Sequence, residues 1–276
     1  MLQVDLLNSI LRSYLGNESM KRKSEEGPPS DGGRYMPITE CIGWRSKHKI
    51  YNFLGLSPKR FLIEMLPRLG LKLFELSVNE RIADYPFVFS VLGCDKKLRI
   101  LDVGCYYSKL PIELATLGHE VYGVDVLEYG LTHPNFRFIK GDIMNVELSD
   151  NFFDAITCIS TIEHIGLGRY GDPIRHDGDK AAVQKMSKLL RNGGRIILSA
   201  PFGKSGVCYY DGVPLHRIYD YQRLKNLLSG LRIEKSLYLV KEDQAWVQVS
   251  LEEAEKVDGL HVGEVLADVL VVASKP

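Results

Sequence analysis

The stretch Leu98–Ser108, LRILDVGCYYS, decides how the rest of the chain is read. Leu98 to Val103 is an apolar run of strand length, and Gly104 ends it where a glycine turns tightly without steric cost. Leu110 to Leu117 (LPIELATL) then has helical spacing and closes with Gly118, and Glu120 to Val126 (EVYGVDV) is a second strand. Strand, helix and strand within about 30 residues make a parallel crossover unit. The pattern continues downstream. Asn135 to Lys140 (NFRFIK), Phe153 to Ile159 (FDAITCI) and Arg195 to Ala200 (RIILSA) supply three more strands, and Lys180 to Leu190 is a helix stopped by Asn192-Gly193-Gly194. The expected fold is therefore a doubly wound α/β domain, a mostly parallel sheet covered on both faces. Leu231–Val240 and Leu266–Ala273 lack a comparable helix between them, so they predict an antiparallel pair at one edge. The charged segment Lys241–Glu264 reads as an irregular or partly helical excursion.

Upstream, the pattern is different. Leu2, Leu6, Ile10 and Leu11 suggest a short amphipathic helix, and residues 16–34, with Lys21-Arg22-Lys23 and Pro28-Pro29, form a polar linker full of breakers. From about Gly43 to Leu92 the chain reads as helical, with Ser57-Pro58 as a helix start and Pro67, Gly70 and Pro86 as punctuation. Two regions follow: a helical extension or lid over 1–85, and the α/β domain over 86–276.

Composition narrows the function classes. The 276 residues are 45% hydrophobic and 25% charged, which suits a buried core and excludes wholesale disorder. Lys plus Arg equals Asp plus Glu at 35 each, so the chain has no strong nucleic-acid signal. The cysteines, Cys41, Cys94, Cys105, Cys158 and Cys208, are scattered and never spaced as CxxC. That argues for a reducing, cytoplasmic setting and against a zinc knot or disulfide framework. The first residues lack a secretory pattern, and no uncharged apolar run reaches the length of a membrane span.

In an open parallel sheet a ligand sits beyond the carboxyl ends of the strands, so those ends are where chemistry is sought. The first carries Asp102-Val103-Gly104-Cys105-Tyr106, where Gly104 lets a ligand approach the backbone. The second carries Asp125-Val126, and Asp125 follows Gly104 by about twenty residues, the separation that puts a carboxylate beside a ribose. The third carries Gly141-Asp142-Ile143 and the fourth Ser160-Thr161-Ile162-Glu163-His164. A dinucleotide fingerprint would need glycines where Tyr106 and Lys109 stand, so a pyrophosphate would be poorly cradled. A cofactor without phosphate meets no such objection.

The strings LDVGC (Leu101–Cys105), the acid Asp125, KGDI (Lys140–Ile143) and FDAITCISTIEHI (Phe153–Ile165) resemble the first four motifs of the class I S-adenosylmethionine-dependent methyltransferases, in order and at normal spacing. The likeness is close from about Pro86 to Pro201 and looser to Pro276. It implies a Rossmann-like sheet and S-adenosylmethionine as cofactor. By the same likeness Asp102 and the backbone near Gly104, Cys105 and Tyr106 hold the methionine portion, and Asp125 with Val126 the ribose. Asp142 and Ile143 meet the adenine, while Ser160 and Thr161 face the transferable methyl. The departure is Tyr106, which stands where the family usually has a second glycine. EHIGLGRYGDP (Glu163–Pro173), with Asp177-Gly178-Asp179 after it and Glu80–Pro86 ahead as an opening helix, is similar to a subgroup of methyltransferase-like domains, some associated with glycan or polysaccharide modification.

The residues leave several roles open. Asp125 and Asp142 also suit caps, which would not exclude a ligand. His164 is a candidate general base or a positioning residue, with Glu163 as a weaker competitor. Arg169, Tyr170, Asp172 and His216 are candidate substrate contacts, and Tyr209, Tyr210, Arg217 and Tyr219 add hydrogen-bonding and stacking groups. Asp172, His176, Asp177 and Asp179 would suit a divalent metal, but the favoured reading has no metal and a polar loop in which Asp172 pairs with Arg169. Cys105 and Cys158 read as small core residues. The function that follows is methyl transfer, by O-methylation, to a small-molecule or glycan-type acceptor. Two alternatives are a methyltransferase-like binding or scaffold module without turnover, which Tyr106 favours, and a nucleotide-dependent oxidoreductase, which the missing glycines disfavour. The sequence does not set an oligomeric state.

Overall fold

A computed structural model describes residues 79–210, 212–243, 245–260 and 264–276. The helix expected over Leu2–Leu15, the linker over 16–34 and nearly all of the helical region from Gly43 lie outside the described residues. The chain divides into two compact units, Met1–Glu75 and Leu76–Pro276, and the second is the one described here.

The second unit opens with helix α1 (Arg81–Leu92), which runs through Pro86, expected to be punctuation. Strand β1 (Arg99–Val103), helix α2 (Leu110–Thr116), which has proline in its first turn, and strand β2 (Glu120–Asp125) form the expected crossover. Strands β3 (Phe136–Lys140) and β4 (Phe153–Ile159), helix α3 (Gly178–Leu189) and strand β5 (Leu190–Pro201) complete the parallel part. A hairpin of β6 (Gly206–Tyr210) and β7 (Val213–Ile218) leads to helix α4 (Tyr221–Leu227). Strands β8 (Arg232–Glu242) and β9 (Ala245–Val249), helix α5 (Leu251–Glu255) and strand β10 (Ala267–Ser274) close the chain.

The main sheet has the order β3-β2-β1-β4-β5-β10-β8-β9. β1 pairs in parallel with β2 and β4, and β4 with β5, while β10 is antiparallel to both β5 and β8. The antiparallel edge is therefore as expected, and β9 extends it by one strand, antiparallel to β8. Successive residues of a strand face opposite sides. Leu101 and Val103 join one apolar layer with Val183 and Met186 of α3 and Leu224 of α4, while Ile100 joins the other with Val88 of α1 and Leu114 of α2. Each such buried aliphatic side chain contributes about 1.5–3 kcal/mol. Both faces are covered, so the doubly wound expectation describes the domain.

The β6–β7 hairpin and strand β9 were not expected, whereas helix α5 accords with a partly helical excursion. Tyr209 to Tyr219, read as a polar loop after the fifth strand, contains part of the β6–β7 hairpin. Pro214 argues against a strand there, and a separate two-stranded ribbon tolerates it because one side of β7 has no partner strand to lose. β9 and α5 occupy the segment read as an excursion, and a capping box between Ser250 and Glu253 starts α5. The four described cysteines are free. Among the described residues no helix is long and apolar enough to cross a membrane.

Where α1 crosses the sheet, the packing is polar. Asp84 of α1 is fully buried, and its Oδ2 accepts hydrogen bonds from Ser199 Oγ of β5 at 3.2 Å and Ser160 Oγ at 3.5 Å. Asp268 of β10 lies against it, the two carboxyls hydrogen-bonded to each other, and no other group bonds the Asp268 oxygens. Two carboxyls this close and this dry share a proton rather than both ionise. Burial, reinforced by Glu80, pushes Asp84 up to about 7, and burial beside Asp84 raises Asp268 well above the carboxylate range. Burial likewise raises Asp102 to about 7 and Glu163 to about 8. In the unfolded chain these acids ionise near pH 4. The folded chain therefore holds the extra protons until pH rises through the folded values, and stability falls as it does so. His164, whose pKa is lowered to about 4 in the fold, opposes this only below about pH 6.5. The ligand-free chain is accordingly expected to melt about 5 °C or more lower at pH 8.5 than at pH 6.5. Asp268→Asn should shrink that difference and raise the midpoint at pH 8.5 by about 2–4 °C per kcal/mol recovered. Calorimetry showing a midpoint that climbs with pH over this window would contradict the shared proton.

Candidate functional site

At the carboxyl ends of β1 to β4 a cavity of about 330 Å³ opens where the strand order reverses. Gly104, at the end of β1, has φ 79°, and a Cβ there would run into the Thr161 side chain, so the first loop and the fourth strand end approach as only glycine allows. Asp125 ends β2. Its Oδ2 accepts from the Tyr106 amide and its Oδ1 from the Leu127 amide, each at 2.8 Å, so one carboxylate shapes the loops after both strands and is held at the cavity wall. This explains why Tyr106 is tolerated: the position is required to supply an amide, which every residue but proline has. Tyr107 follows at φ 61°, its ring 4.2 Å from that of Tyr106 and 87% exposed. After β3, Asp142 Oδ1 accepts from the Met144 amide at 2.9 Å, so it caps its own turn while lining the cavity. Val126, Ile143, Ser160 and Thr161 line it too.

Asp102 and Cys105 are not on the cavity wall. Asp102 is buried in the sheet, its Oδ1 accepting from Thr157 Oγ1 at 2.6 Å and its Oδ2 without a partner. Cys105 is buried in the apolar layer, and burial pushes its thiol far above the ordinary range.

The opposite wall is the segment after β4. Asp172 folds it into a loop: Oδ2 accepts from the Gly166 amide at 2.7 Å and the Gly168 amide at 3.3 Å, and Oδ1 from the Tyr170 amide at 3.2 Å. The expected pairing of Asp172 with Arg169 is thus replaced by bonds to backbone. Arg217 of β7 pins the same loop from below. It is 2% exposed, and its Nη1 donates to Ile165 O at 2.6 Å while its Nε lies 3.6 Å from Asp179 Oδ2. Tyr219 donates to that same Oδ2 at 3.0 Å.

On this frame sit His164, Arg169, Tyr170 and His216, all lining the cavity. His164 Nδ1 is 2.7 Å from Leu215 O, and since a carbonyl only accepts, Nδ1 carries the proton and Nε2 holds the lone pair. Burial is the main reason its pKa falls to about 4, with Arg169 adding to it, and burial and Arg169 lower His216 as well. Glu163 Oε1 is 3.6 Å from His164 Nε2, and burial keeps Glu163 protonated below about pH 8. Arg169 Nη1 donates to Leu215 O at 3.1 Å, its guanidinium lies over the Tyr170 ring at 5.4 Å, and Tyr170 meets His164 edge-on at 5.5 Å.

The candidate metal ligands do not converge. Asp172 serves the loop amides, Asp177 pairs with Arg175 at 2.6 Å and Asp179 is held by Arg217 and Tyr219. Among the described residues no three such side chains are placed to hold an ion.

Sequence reasoning missed Glu80 and Arg81, which line the cavity from the start of α1, and the buried acids Asp84 and Asp268. Asp268 had a signal, since it is the one charge inside the apolar run Ala267–Ala273. The donor set fits an adenosyl sulfonium carrying an amino acid. Asp125 can accept from ribose hydroxyls, and the cavity-lining Glu163 has a buried Oε2 without a hydrogen-bond partner, which an ammonium could fill. Arg81 lines the same cavity, its Nη1 donating to Tyr85 Oη at 3.3 Å, and supplies a cation for a carboxylate.

Comparisons with known proteins agree with this architecture. A ubiquinone biosynthesis O-methyltransferase of Alkalilimnicola ehrlichii is 30% identical over 132 residues, 44% of this chain and 48% of that protein. One from Leptothrix cholodnii is 30% identical over 114 residues, covering 37% and 43%. The chain thus spans about half or less of the length of these curated relatives. Among solved structures, a Burkholderia thailandensis 1,6-didemethyltoxoflavin-N1-methyltransferase, bound to 1,6-didemethyltoxoflavin and S-adenosylhomocysteine, matches with TM-score 0.52 at 16% identity, covering 90% of this chain and 93% of that one. The [4+2]-cyclase SpnF matches with TM-score 0.50 at 16% identity, covering 73% and 83%. At that identity the likeness is one of fold. A family model described as "Caenorhabditis protein of unknown function, DUF268" matches residues 121–261. That is more than half of the sequence, so the chain belongs to this family, and its second unit has the class I methyltransferase fold.

Proposed function

We propose that this chain is an S-adenosylmethionine-dependent methyltransferase that methylates an oxygen of a small-molecule or glycan-type acceptor. The observation that carries the reading is a single cavity with Gly104, Asp125 and Asp142 at successive strand ends on one wall and an uncharged His164 on the other. The names of the curated relatives support oxygen as the atom methylated.

When bound, the cofactor supplies a methyl group on a positively charged sulfur. Asp125, fixed by two amides, would accept from the ribose hydroxyls without reorganising. Asp142 and Ile143 would meet the adenine. Arg81 would receive the carboxylate of the methionine portion, and the dry acids Asp102 and Glu163 would lie near its ammonium, whose arrival would lower their raised pKa values. His164, its ring fixed by Leu215 O, would form the wall against which the acceptor oxygen is held in line with the methyl. Alignment and exclusion of water are most of what such a displacement needs from a protein. A positioning role is therefore preferred to general-base catalysis, for which a pKa near 4 is poorly matched at neutral pH.

Calorimetry should show micromolar binding of S-adenosylhomocysteine, weakened about 10- to 100-fold by Asp125→Ala, since hydrogen bonds to a charged group contribute about 1.5–3 kcal/mol. Absence of binding, or unchanged affinity in a folded Asp125→Ala variant, would remove the cofactor assignment. In proton NMR the His164 ring resonances, identified by their loss in His164→Gln, should stay at their neutral positions from pH 5.5 to 8. A titration midpoint near 6.5 would instead return His164 to the role of base.

A further inference from the structure

Arg169 stands apart from most arginines around it. Arg99, Arg175, Arg191, Arg195, Arg217 and Arg223 each have a carboxylate within 4.0 Å, whereas Arg169 forms no ion pair among the described residues. It is nonetheless held, by Leu215 O on one side and the Tyr170 ring on the other, so its guanidinium is presented to the cavity beside His164 and His216. A fixed, unpaired guanidinium on a cavity wall is the feature by which proteins receive an oxygen anion. We propose that the methyl acceptor is a phenol or enol that reaches the cleft as its anion, and that Arg169 binds that oxygen. This inference rests on the methyl-transfer reading above and narrows its acceptor.

Two further features point the same way. The histidines beside Arg169 are poor bases: His164 is pushed down to about 4 and His216 is lowered by burial and Arg169, while Glu163 keeps its proton below about pH 8. A sugar hydroxyl is too weak an acid to ionise beside them, whereas a neighbouring guanidinium lowers the pKa of a phenol or enol by about one to three, enough to bring an acidic one to its anion. The mouth is also aromatic. Tyr107 is 87% and Tyr170 41% exposed, and flat faces of this kind suit a conjugated ring better than a saturated one. In the transfer, the acceptor anion supplies the electron pair of the new O–C bond while the pair of the C–S bond stays on sulfur, which becomes a neutral thioether. No proton has to be removed in that step, which accords with histidines whose basicity burial has lowered.

The test uses the full chain saturated with S-adenosylhomocysteine and 4-nitrocatechol as probe, because the probe's absorbance reports its ionisation. The expected result is binding as the anion at a pH where the free probe is largely neutral. Affinity should fall about tenfold or more in Arg169→Gln and return in part in Arg169→Lys, with no displacement by excess methyl α-D-glucopyranoside. Binding in the neutral form, equal affinity in Arg169→Gln, displacement by the glycoside, or S-adenosylhomocysteine binding with no binding of the probe would each overturn the acceptor assignment while leaving methyl transfer standing. Failure of S-adenosylhomocysteine itself to bind would remove both readings.

Discussion

The guanidinium of Arg217 is the constraint on which the acceptor side of the cleft depends. Residues 163–175 have no helix or strand of their own, so their carbonyls need donors from elsewhere. Arg217 supplies them to Ile165 at 2.6 Å and, more weakly, to Glu163 and Arg175 at 3.4 Å. Its charge is balanced by Asp179 at the start of α3, which Tyr219 and Arg223 also hold. A buried ion pair adds little net stability, because desolvation offsets much of the attraction. What this one supplies is geometry. It locks α3, the β6–β7 hairpin and the loop into one unit, so Leu215 O can orient both His164 and Arg169.

The cofactor side is organised by a different device, a carboxylate at a strand end. Asp125 bonds two amides from two loops, and the bonds that make it a structural cap also fix it where a ribose would lie. Cap and ligand contact are therefore the same placement. Asp142 repeats the arrangement one strand further out.

How much of this was legible follows from the range of each interaction. β1, β4 and the second half of β5 are largely apolar runs because both faces of the sheet are covered there, and such runs show in sequence whatever the tertiary context. Asp125 was legible because a crossover unit has a nearly fixed length. The β6–β7 hairpin was not, since it carries Pro214 and polar residues and stands outside the main sheet. Asp102 does not reach the cavity wall, because strand residues alternate between faces and its Oδ1 is taken by Thr157 of the neighbouring strand. Asp84 bonds a serine 115 positions away, a contact no local pattern encodes. Arg81 lay in a stretch noted only for its resemblance; it lines the cleft, while Asp84, three positions on along the same helix, is buried against the sheet.

The fold alone does not fix the reaction, as the likeness to a [4+2]-cyclase shows. Methyl transfer is favoured instead by how charge is distributed. The chain as a whole is neutral, and near neutral pH the acceptor wall has Glu163 protonated and both histidines uncharged. Moving a methyl group from a sulfonium to an oxygen anion brings two opposite charges together and cancels them. Uncharged imidazoles beside that path, with the Arg169 guanidinium to collect the anion, favour the encounter without solvating the reactants so well that they stay apart. A strongly charged wall would bind either partner more tightly and gain nothing in the displacement, because only interactions that strengthen on the way to the transition state raise its rate.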